Sequence, residues 1–196
     1  MQPVSRHSPA ASMDGVPQDR ARIYIVCIRK FGKDQEPKFQ WPSEIDCPDL
    51  HTLFDRNSPK LKSYAKYPYP EGGGKTGRTN VEKALEKMDK YAGLHGGAVE
   101  NYPCIVDLCA SGLLIAIKTM MTITHSRGGS RAYWSLQHAR RLSVQELLRM
   151  QGFPATTPVA YVTTNQMGGL IGNAFTLPLY VRVHNAAVKA ARELKL

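Results

Sequence analysis

The chain has 196 residues and a hydrophobic content of 42%, which suits one compact domain or a small domain with an appendage. Its formal net charge is +10, from 26 Lys and Arg against 16 Asp and Glu. This excess favours a polyanionic partner such as nucleic acid, although a merely basic protein would show the same charge. No segment reaches the ~18 consecutive apolar residues of a membrane-spanning helix, which argues against such a helix.

The cysteine pattern argues against a metal site. The four cysteines include no Cys-x-x-Cys pair, and no histidine stands at the spacing of a zinc ligand. We therefore expect no bound metal and four free thiols in a reducing, intracellular compartment. Cys27 and Cys104 lie in apolar runs and are expected to be small buried side chains.

The amino-acid composition of the chain changes after residue 14. Residues 1–14 contain Ser, Pro, Ala and scattered Arg without periodicity, so we expect them to be disordered. A transit peptide, or a natural start other than Met1, is the alternative interpretation. The apolar run at residues 23–28 is short, β-branched and aromatic, which predicts a buried strand.

Three polar side chains precede that strand at alternate positions. Gln18, Arg20 and Arg22 have a period of two, so they would project from the same side of the chain. On the residues alone, three solvated side chains at a sheet edge are the simpler interpretation.

In the middle of the chain, a stretch without predicted secondary structure is followed by a predicted helix. Prolines throughout residues 30–78 forbid long helices. Residues 60–69 interleave Lys with Tyr, which suits phosphate contacts and base stacking but equally suits an irregular solvated loop. A capping box at Thr79 and Glu82 then starts a predicted helix that ends at Gly93.

Two strands and a C-terminal helix are predicted further along. The apolar runs at residues 104–109 and 112–118 predict β structure. A Gly-Asn turn at residues 172–173 precedes a helix with Pro178 in its first turn. The apolar positions of that helix are Val183, Ala186, Ala187, Ala190 and Leu194.

The most sharply bounded element lies at residues 140–154. Ser143 can accept a hydrogen bond from the amide of Glu146, whose carboxylate can reach back, and this capping box predicts where a short helix begins. Gly152 supplies a C-terminal cap, and Pro154 forbids continuation. An amphipathic helix packed on a core follows from these residues.

Four segments resemble the cytosine-5 DNA methyltransferases, in the order in which that family carries them. Residues 17–29, Pro-Gln-x-Arg-x-Arg followed by Ile-Tyr-x-x-Cys-x-Arg, resemble motif VIII. Residues 121–129 resemble the Thr-Leu-Thr loop that closes the target-recognition region. Residues 140–154, with Arg-x-Leu-Ser-x-x-Glu and Arg-Met-Gln-Gly-Phe-Pro, resemble motif IX, and residues 166–179 resemble motif X.

The resemblance implies a fold class and a division of the chain. The fold class is α/β: the C-terminal part of a Rossmann-like, S-adenosylmethionine-dependent methyltransferase with a mostly β target-recognition region. Residues 15–30 and 140–196 would belong to the methyltransferase domain. Residues 31–139 would form the target-recognition region.

The resemblance also implies roles for the residues at matching positions. Arg22 would lie by the flipped cytosine, where a guanidinium can bind the carbonyl oxygen and the negative charge that builds up during attack. Arg20 would steady nearby backbone and a carboxylate in the same catalytic site. The implied DNA contacts are Gln18, Thr122, Thr124 and Arg127. The implied contacts to S-adenosylmethionine are Asn173, Ala174 and Phe175.

The reactive groups of the family are missing from this sequence. It has no Phe-x-Gly-x-Gly cofactor loop, no Pro-Cys-Gln nucleophile loop and no Glu-Asn-Val segment. Pro103 and Cys104 are followed by Ile105 and come after the motif VIII-like segment, so we predict that Cys104 is a core residue. The family's reaction needs a thiolate on carbon 6 of an extruded cytosine and a carboxylate near ring nitrogen 3. We therefore predict that this chain alone does not methylate DNA.

Together these expectations describe the DNA-recognising, C-terminal portion of a DNA (cytosine-5-)-methyltransferase. Its partners would be DNA and a catalytic half, carried by another subunit or by an upstream part of the same gene. The alternatives are a non-catalytic DNA-binding remnant and a relative that methylates cytosine in transfer RNA. In a eukaryote the expected compartment is the nucleus.

Overall fold

The computed structural model of this chain describes residues 4–7, 15–18, 20, 23–29, 38–61, 67–71, 74–159 and 161–194. The strands are β1 (Val4–His7), β2 (Ile23–Val26), β3 (Cys104–Asp107), β4 (Ile115–Ile117), β5 (Tyr133–Ser135) and β6 (Arg140–Arg141). The α-helices are α1 (Gly74–His95), α2 (His125–Gly129), α3 (Val144–Met150), α4 (Thr164–Asn173) and α5 (Leu177–Glu193). Short 3-10 helices span Leu50–Leu53 and Val99–Asn101. This mixture of helices with small antiparallel sheets confirms the α/β class.

A four-stranded antiparallel sheet in the order β4-β3-β5-β6 separates two hydrophobic cores. Successive side chains of a strand point to opposite faces, so β3, β4 and β5 each contribute to both cores. Cys104 and Val106 of β3 pack with Trp134 of β5 in the core that includes α1. Ile105 and Tyr133 belong to the core shared with α3 and α4. Burial on both faces explains why β3 is an unbroken apolar run in the sequence.

Helix α1 is longer at both ends than the sequence predicts. It begins at Gly74, so the capping box predicted at Thr79 is wrong. The amide of Asn80 donates to two backbone carbonyls at and just after the end of β3, at 3.1 and 3.0 Å, and these bonds hold the early turns against the sheet. The helix also continues past Gly93, and the positive φ that follows its end occurs at Gly96.

Strand β2 confirms the predicted strand but not its burial. Ile23 and Ile25 are 67% and 64% exposed, and Cys27, which the sequence predicts to be buried, is exposed as well. The physical reason is that β2 pairs with β1 alone among the described strands, in a two-stranded ribbon. That pairing also places residues 4–7 in a strand, so the expectation of disorder is wrong at those positions.

For the C-terminal helices, the structure confirms the predicted cap of α3 and the predicted start of α5, but not the predicted turn at residues 172–173. The capping box of α3 is present, because Ser143 Oγ accepts from the amide of Glu146 while the Glu146 carboxylate accepts from the amide of Ser143. Pro178 lies in the first turn of α5 as predicted. The turn predicted at residues 172–173 is wrong, since these residues end a helix, α4, that the sequence did not predict.

None of the helices in the described ranges combines the length and apolar character of a membrane span. In the same part of the chain, no group of three or more His, Cys, Asp or Glu side chains could hold a metal ion. All four cysteines are free, and Cys104 is buried as predicted.

Candidate functional site

The guanidinium of Arg20 joins three segments that are far apart in the sequence. Its Nη1 donates to the carbonyl of Ile123 at 2.6 Å, and its Nη2 donates to the carbonyls of Gly172 and Ala174 at 3.1 and 2.9 Å. Arg20 is 4% exposed, and its planar fork of donors suits carbonyls that converge from different directions. Arg20 therefore holds the chain before β2, the chain before α2 and the end of α4 in one place.

Gln18 and Arg22 are the other two polar residues that the resemblance places at the site in the motif VIII-like segment. Gln18 forms a parallel bridge with Met120 and is 1% exposed, so its side chain does not reach the surface as a direct DNA contact requires. Neither amide atom of Gln18 has a hydrogen-bonding partner among the described residues. Arg22 lies outside the described residues, and its place beside the cytosine stays a prediction.

Helices α2 and α4 approach each other so closely that only glycine fits at the contact. A Cβ atom on Gly128 would lie 2.0 Å from the carbonyl oxygen of Gly168. A Cβ atom on Gly172 would lie 2.3 Å from the carbonyl carbon of Thr124. Both distances are far below the ~3.5–4.0 Å of a favourable contact. The spacing of Gly168 and Gly172, four residues apart on one helix face, is the sequence signal that could have predicted this packing.

The three residues predicted to contact S-adenosylmethionine follow one another at the end of α4. Asn173 is exposed, and its amide nitrogen lies 3.2 Å from Nδ1 of His125. Ala174 is half-buried, and its carbonyl accepts from Arg20. Phe175 is 56% exposed. The structure thus brings these residues together beside Arg20 and leaves an amide and an aromatic ring accessible.

The three residues predicted to contact DNA around α2 have different surroundings. Thr124 is exposed and caps α2, because its Oγ1 accepts from the amide of Arg127 at 3.4 Å. Thr122 is half-buried, and its carbonyl accepts from the hydroxyl of Tyr133. Nε of Arg127 lies 3.1 Å from the buried carboxylate of Asp107. The charge of Arg127 is therefore already compensated, so binding a phosphate there would compete with this ion pair.

The buried carboxylate of Glu146 connects the motif IX-like helix to β6 and to the backbone at Asp55. The side chain of Glu146 has no exposed surface, and it accepts from Nη1 and Nη2 of Arg140 at 2.8 and 2.6 Å. It also accepts from the backbone amides of Ser143 and Asp55, at 2.8 and 2.9 Å. A buried carboxylate is tolerated when it is paired and hydrogen-bonded in this way. The arginine and glutamate of this segment therefore join β6, the start of α3 and the backbone at Asp55.

Asp55 extends the same network. Its Oδ1 accepts from Nη2 of Arg149 at 2.5 Å, and its Oδ2 accepts from Oγ of Ser143 at 3.0 Å. Burial opposes ionisation of Asp55, but the hydrogen bonds from Arg149 and Ser143, with the charges of Arg149 and Arg140, lower the pKa of the carboxyl overall. Nothing adjacent to Asp55 in the sequence indicates this role, because its partners lie 88 and 94 residues away.

Comparison with known proteins decides which family these segments belong to. The family described as C-5 cytosine-specific DNA methylase matches residues 7–189, which is nearly the whole sequence. The chain belongs to this family. Members of the C-5 cytosine-specific DNA methylases act on cytosine in DNA and generally use S-adenosylmethionine as the methyl donor. No curated protein matches the chain.

In the reaction of the cytosine methylases a thiolate attacks the base. The surroundings of Cys104 exclude it as this nucleophile. Cys104 has no exposed surface and belongs to the core beneath α1. Burial raises the pKa of its thiol to about 12, against a smaller opposing effect of the charge on Lys87. A thiol that stays protonated near neutral pH and has no access to solvent is unreactive.

We expect a small thiol reagent to modify the exposed Cys27 and Cys109 rapidly in the folded chain, and Cys104 only after unfolding. Mass spectrometry of peptides from the folded and the denatured chain measures this order. The variant Cys109→Ser should lose one fast-reacting position and leave Cys104 protected. Equal rates at Cys104 and Cys109 in the folded chain would contradict the burial of Cys104.

Proposed function

We propose that this chain is the C-terminal, DNA-target-recognising portion of a DNA (cytosine-5-)-methyltransferase, which transfers a methyl group from S-adenosylmethionine to carbon 5 of cytosine in DNA. The observation that carries this proposal is the convergence on Arg20 of the three segments resembling motif VIII, the Thr-Leu-Thr loop and motif X. In this proposal residues 15–30 and 140–196 complete a Rossmann-like methyltransferase domain. Residues 31–139 form the target-recognition region.

The two arginines of the site have different tasks in this proposal. Arg22 binds the extruded cytosine, because a permanently charged fork of donors can bind the carbonyl oxygen and the negative charge that develops during attack. Arg20 is a positioning residue rather than a catalytic one. Its bonds to three backbone carbonyls support this role, because they engage the guanidinium of a residue that is 4% exposed.

The proposed DNA contacts differ in how readily they can be made. Thr124 is exposed, which supports a direct contact between its hydroxyl and a phosphate or base. Thr122 is half-buried beside it. Arg127 binds DNA only if its bond to Asp107 is exchanged for one to phosphate. Gln18 acts on a base only if the residues that cover it open, so its contact is indirect in this conformation.

The proposed cofactor wall consists of Asn173, Ala174 and Phe175. An exposed amide and an exposed aromatic ring fit a ligand that carries an adenine ring and polar groups. S-adenosylmethionine would supply the methyl group when bound there. These residues form one side of a pocket, and the remaining sides belong to the catalytic half in this proposal.

An apolar surface beside this wall supports a second polypeptide segment as the partner. Ile23 and Ile25 of β2 are 67% and 64% exposed, and Phe175 and Tyr180 are 56% and 44% exposed. Together with α5, these residues line a groove of about 370 Å³. Contiguous exposed apolar surface is typical of a binding interface. We propose that the catalytic half, which carries the nucleophilic cysteine, covers this surface.

Methyl transfer from labelled S-adenosylmethionine to cytosine-containing DNA tests the proposal. The chain should be inactive alone and active when mixed with a polypeptide that carries the Pro-Cys-Gln and Phe-x-Gly-x-Gly loops of a family member. In the active mixture, Arg22→Ala should lower turnover by roughly 10²–10³-fold, the usual cost of removing one donor to a developing oxyanion. Arg78→Ala, which removes a cation on the outer face of α1, is the matched control and should change little.

Each of the other results would count against part of this proposal. Activity of the lone chain would show that a nucleophile lies within it. Equal turnover of Arg22→Ala and the unchanged chain would remove Arg22 from the site. DNA binding without activity in any mixture would identify a DNA-binding remnant, and faster transfer to transfer RNA than to DNA would change the substrate.

A further inference from the structure

A polar cleft of about 310 Å³ lies beside the motif IX-like segment, and none of its lining residues belongs to the site around Arg20. The turn at residues 55–58 forms one side of it, and the amide of Ser58 donates to the carbonyl of Asp55 to close that turn. His138, from the loop between β5 and β6, forms the other side. The side chains that matter for its chemistry are His51, Asp55, Arg56, Ser58, Lys60 and His138.

The charges around this cleft leave an excess of positive charge. Asp55 is balanced by Arg149, whose Nη2 lies 2.5 Å from its carboxylate. Arg140, which borders the cleft through Ser58, is balanced by Glu146. Arg56 and Lys60 are exposed and form no ion pair with any described residue. Two uncompensated cations in one concave surface favour an anionic ligand.

The cleft also contains neutral hydrogen-bonding side chains, which neighbouring residues hold in place. Oγ of Ser58 accepts from Nε of Arg140 at 2.6 Å, which leaves the hydroxyl proton to be donated. Nδ1 of His138 lies 2.8 Å from Oγ of Ser135, and its ring packs on Phe54 with centroids 4.5 Å apart. Burial, with the charge of Arg140 as a smaller cause, lowers the pKa of His138 to about 4, so its ring is neutral at pH 7.

We propose that this cleft binds a phosphate of the DNA backbone. Arg56 and Lys60 supply the charge, and Ser58 donates a hydrogen bond to a phosphate oxygen. This assignment rests on the family's action on DNA and does not depend on which polypeptide carries the catalytic cysteine. The contact positions the duplex and reads no base, since a phosphate carries no sequence information.

The position of the cleft relative to α2 is compatible with a single bound duplex. Tyr133 and Ser135 of β5 project from the same face and are about 7 Å apart along the strand. The hydroxyl of Tyr133 accepts from the amide of Thr124, whereas Ser135 bonds His138 in the cleft. The cleft and the proposed contact at Thr124 therefore lie within one turn of DNA, about 34 Å.

The test measures DNA binding by the full chain as a function of salt concentration, using fluorescence anisotropy with a labelled duplex. The double variant Arg56→Gln/Lys60→Gln should weaken binding to all sequences and reduce the slope of log K against log salt by about 1. Lys83→Gln/Lys90→Gln removes the same charge from exposed positions of α1 and is the matched control. Equal effects of the two double variants would overturn the proposal, because the loss would then reflect net charge.

Two further arms identify the ligand. A set of duplexes carries one neutral methylphosphonate linkage each, at a different position in each duplex. At one position this linkage should weaken binding of the unchanged chain, but it should not weaken binding of Arg56→Gln/Lys60→Gln. Absence of such a linkage would overturn the proposal. Inorganic phosphate should compete only at concentrations that screen DNA binding generally. Saturable binding of inorganic phosphate, with an unchanged DNA slope in the variant, would assign the cleft to a small anion instead.

Discussion

Replacing Glu146 with alanine should lower the free energy of unfolding by about 3–5 kcal/mol, the range for removing one partner of a buried ion pair. The carboxylate has no exposed surface and accepts four hydrogen bonds, two from Arg140 and one each from the amides of Ser143 and Asp55. Its removal leaves a guanidinium without its counter-charge and two amides without an acceptor. The side chain of Arg140 is 29% exposed, so partial hydration favours the lower end of that range.

Chemical denaturation of the full chain measures this loss. Glu82→Ala is the matched control, because Glu82 belongs to the exposed i,i+4 pair with Arg78 and its side chain is 44% exposed. That control should change the stability by no more than about 0.5 kcal/mol. A loss below about 1 kcal/mol for Glu146→Ala would mean that the network does not stabilise the fold.

Replacing Gly172 with alanine should destabilise the chain by about 3 kcal/mol, at the upper end for overpacking. The added methyl group would lie 2.3 Å from the carbonyl carbon of Thr124 and 2.4 Å from the amide nitrogen of His125. Both atoms belong to the backbone, so relief requires α2 and α4 to separate. The carbonyl of Gly172 also accepts from Arg20, and separation would weaken that anchor.

Gly93→Ala provides a control of opposite sign. A Cβ atom on Gly93 would meet nothing within 4 Å, and Gly93 lies inside α1 without a positive φ. Alanine there should stabilise the chain by about 0.5–1 kcal/mol, because glycine loses more backbone entropy on entering a helix. Thermal and denaturant unfolding of both variants should therefore shift in opposite directions. Shifts of the same sign would contradict the close approach of α2 and α4.

Sequence predicted the elements whose interactions are local. The cap of α3 joins Ser143 to Glu146, three residues apart, so both partners are visible in one short stretch. Pro178 likewise restricts its own backbone, and it lies at the predicted helix start. The start of α1 was misplaced for the converse reason. Its early turns are held by bonds from Asn80 to carbonyls 27 and 30 residues away.

The resemblance named candidate site residues, but the sequence did not predict how the folded chain arranges them. Arg20 was expected to steady nearby backbone, yet its acceptors lie 103, 152 and 154 residues along the chain. Arg127 was expected to contact DNA, and its pairing with Asp107 could not be read from spacing. Gln18 has the right period to face the site, but period does not report whether other segments cover a side chain.

By itself the sequence determined the family, the order of its motif-like segments and the lack of a Pro-Cys-Gln loop within these residues, because these are properties of residue identity and order. Only the tertiary structure decided that Arg20 is an anchor, that Arg127 is already paired and that Ile23 and Ile25 are exposed. Burial and hydrogen-bonding partners depend on residues that are distant in sequence and become neighbours only when the chain folds.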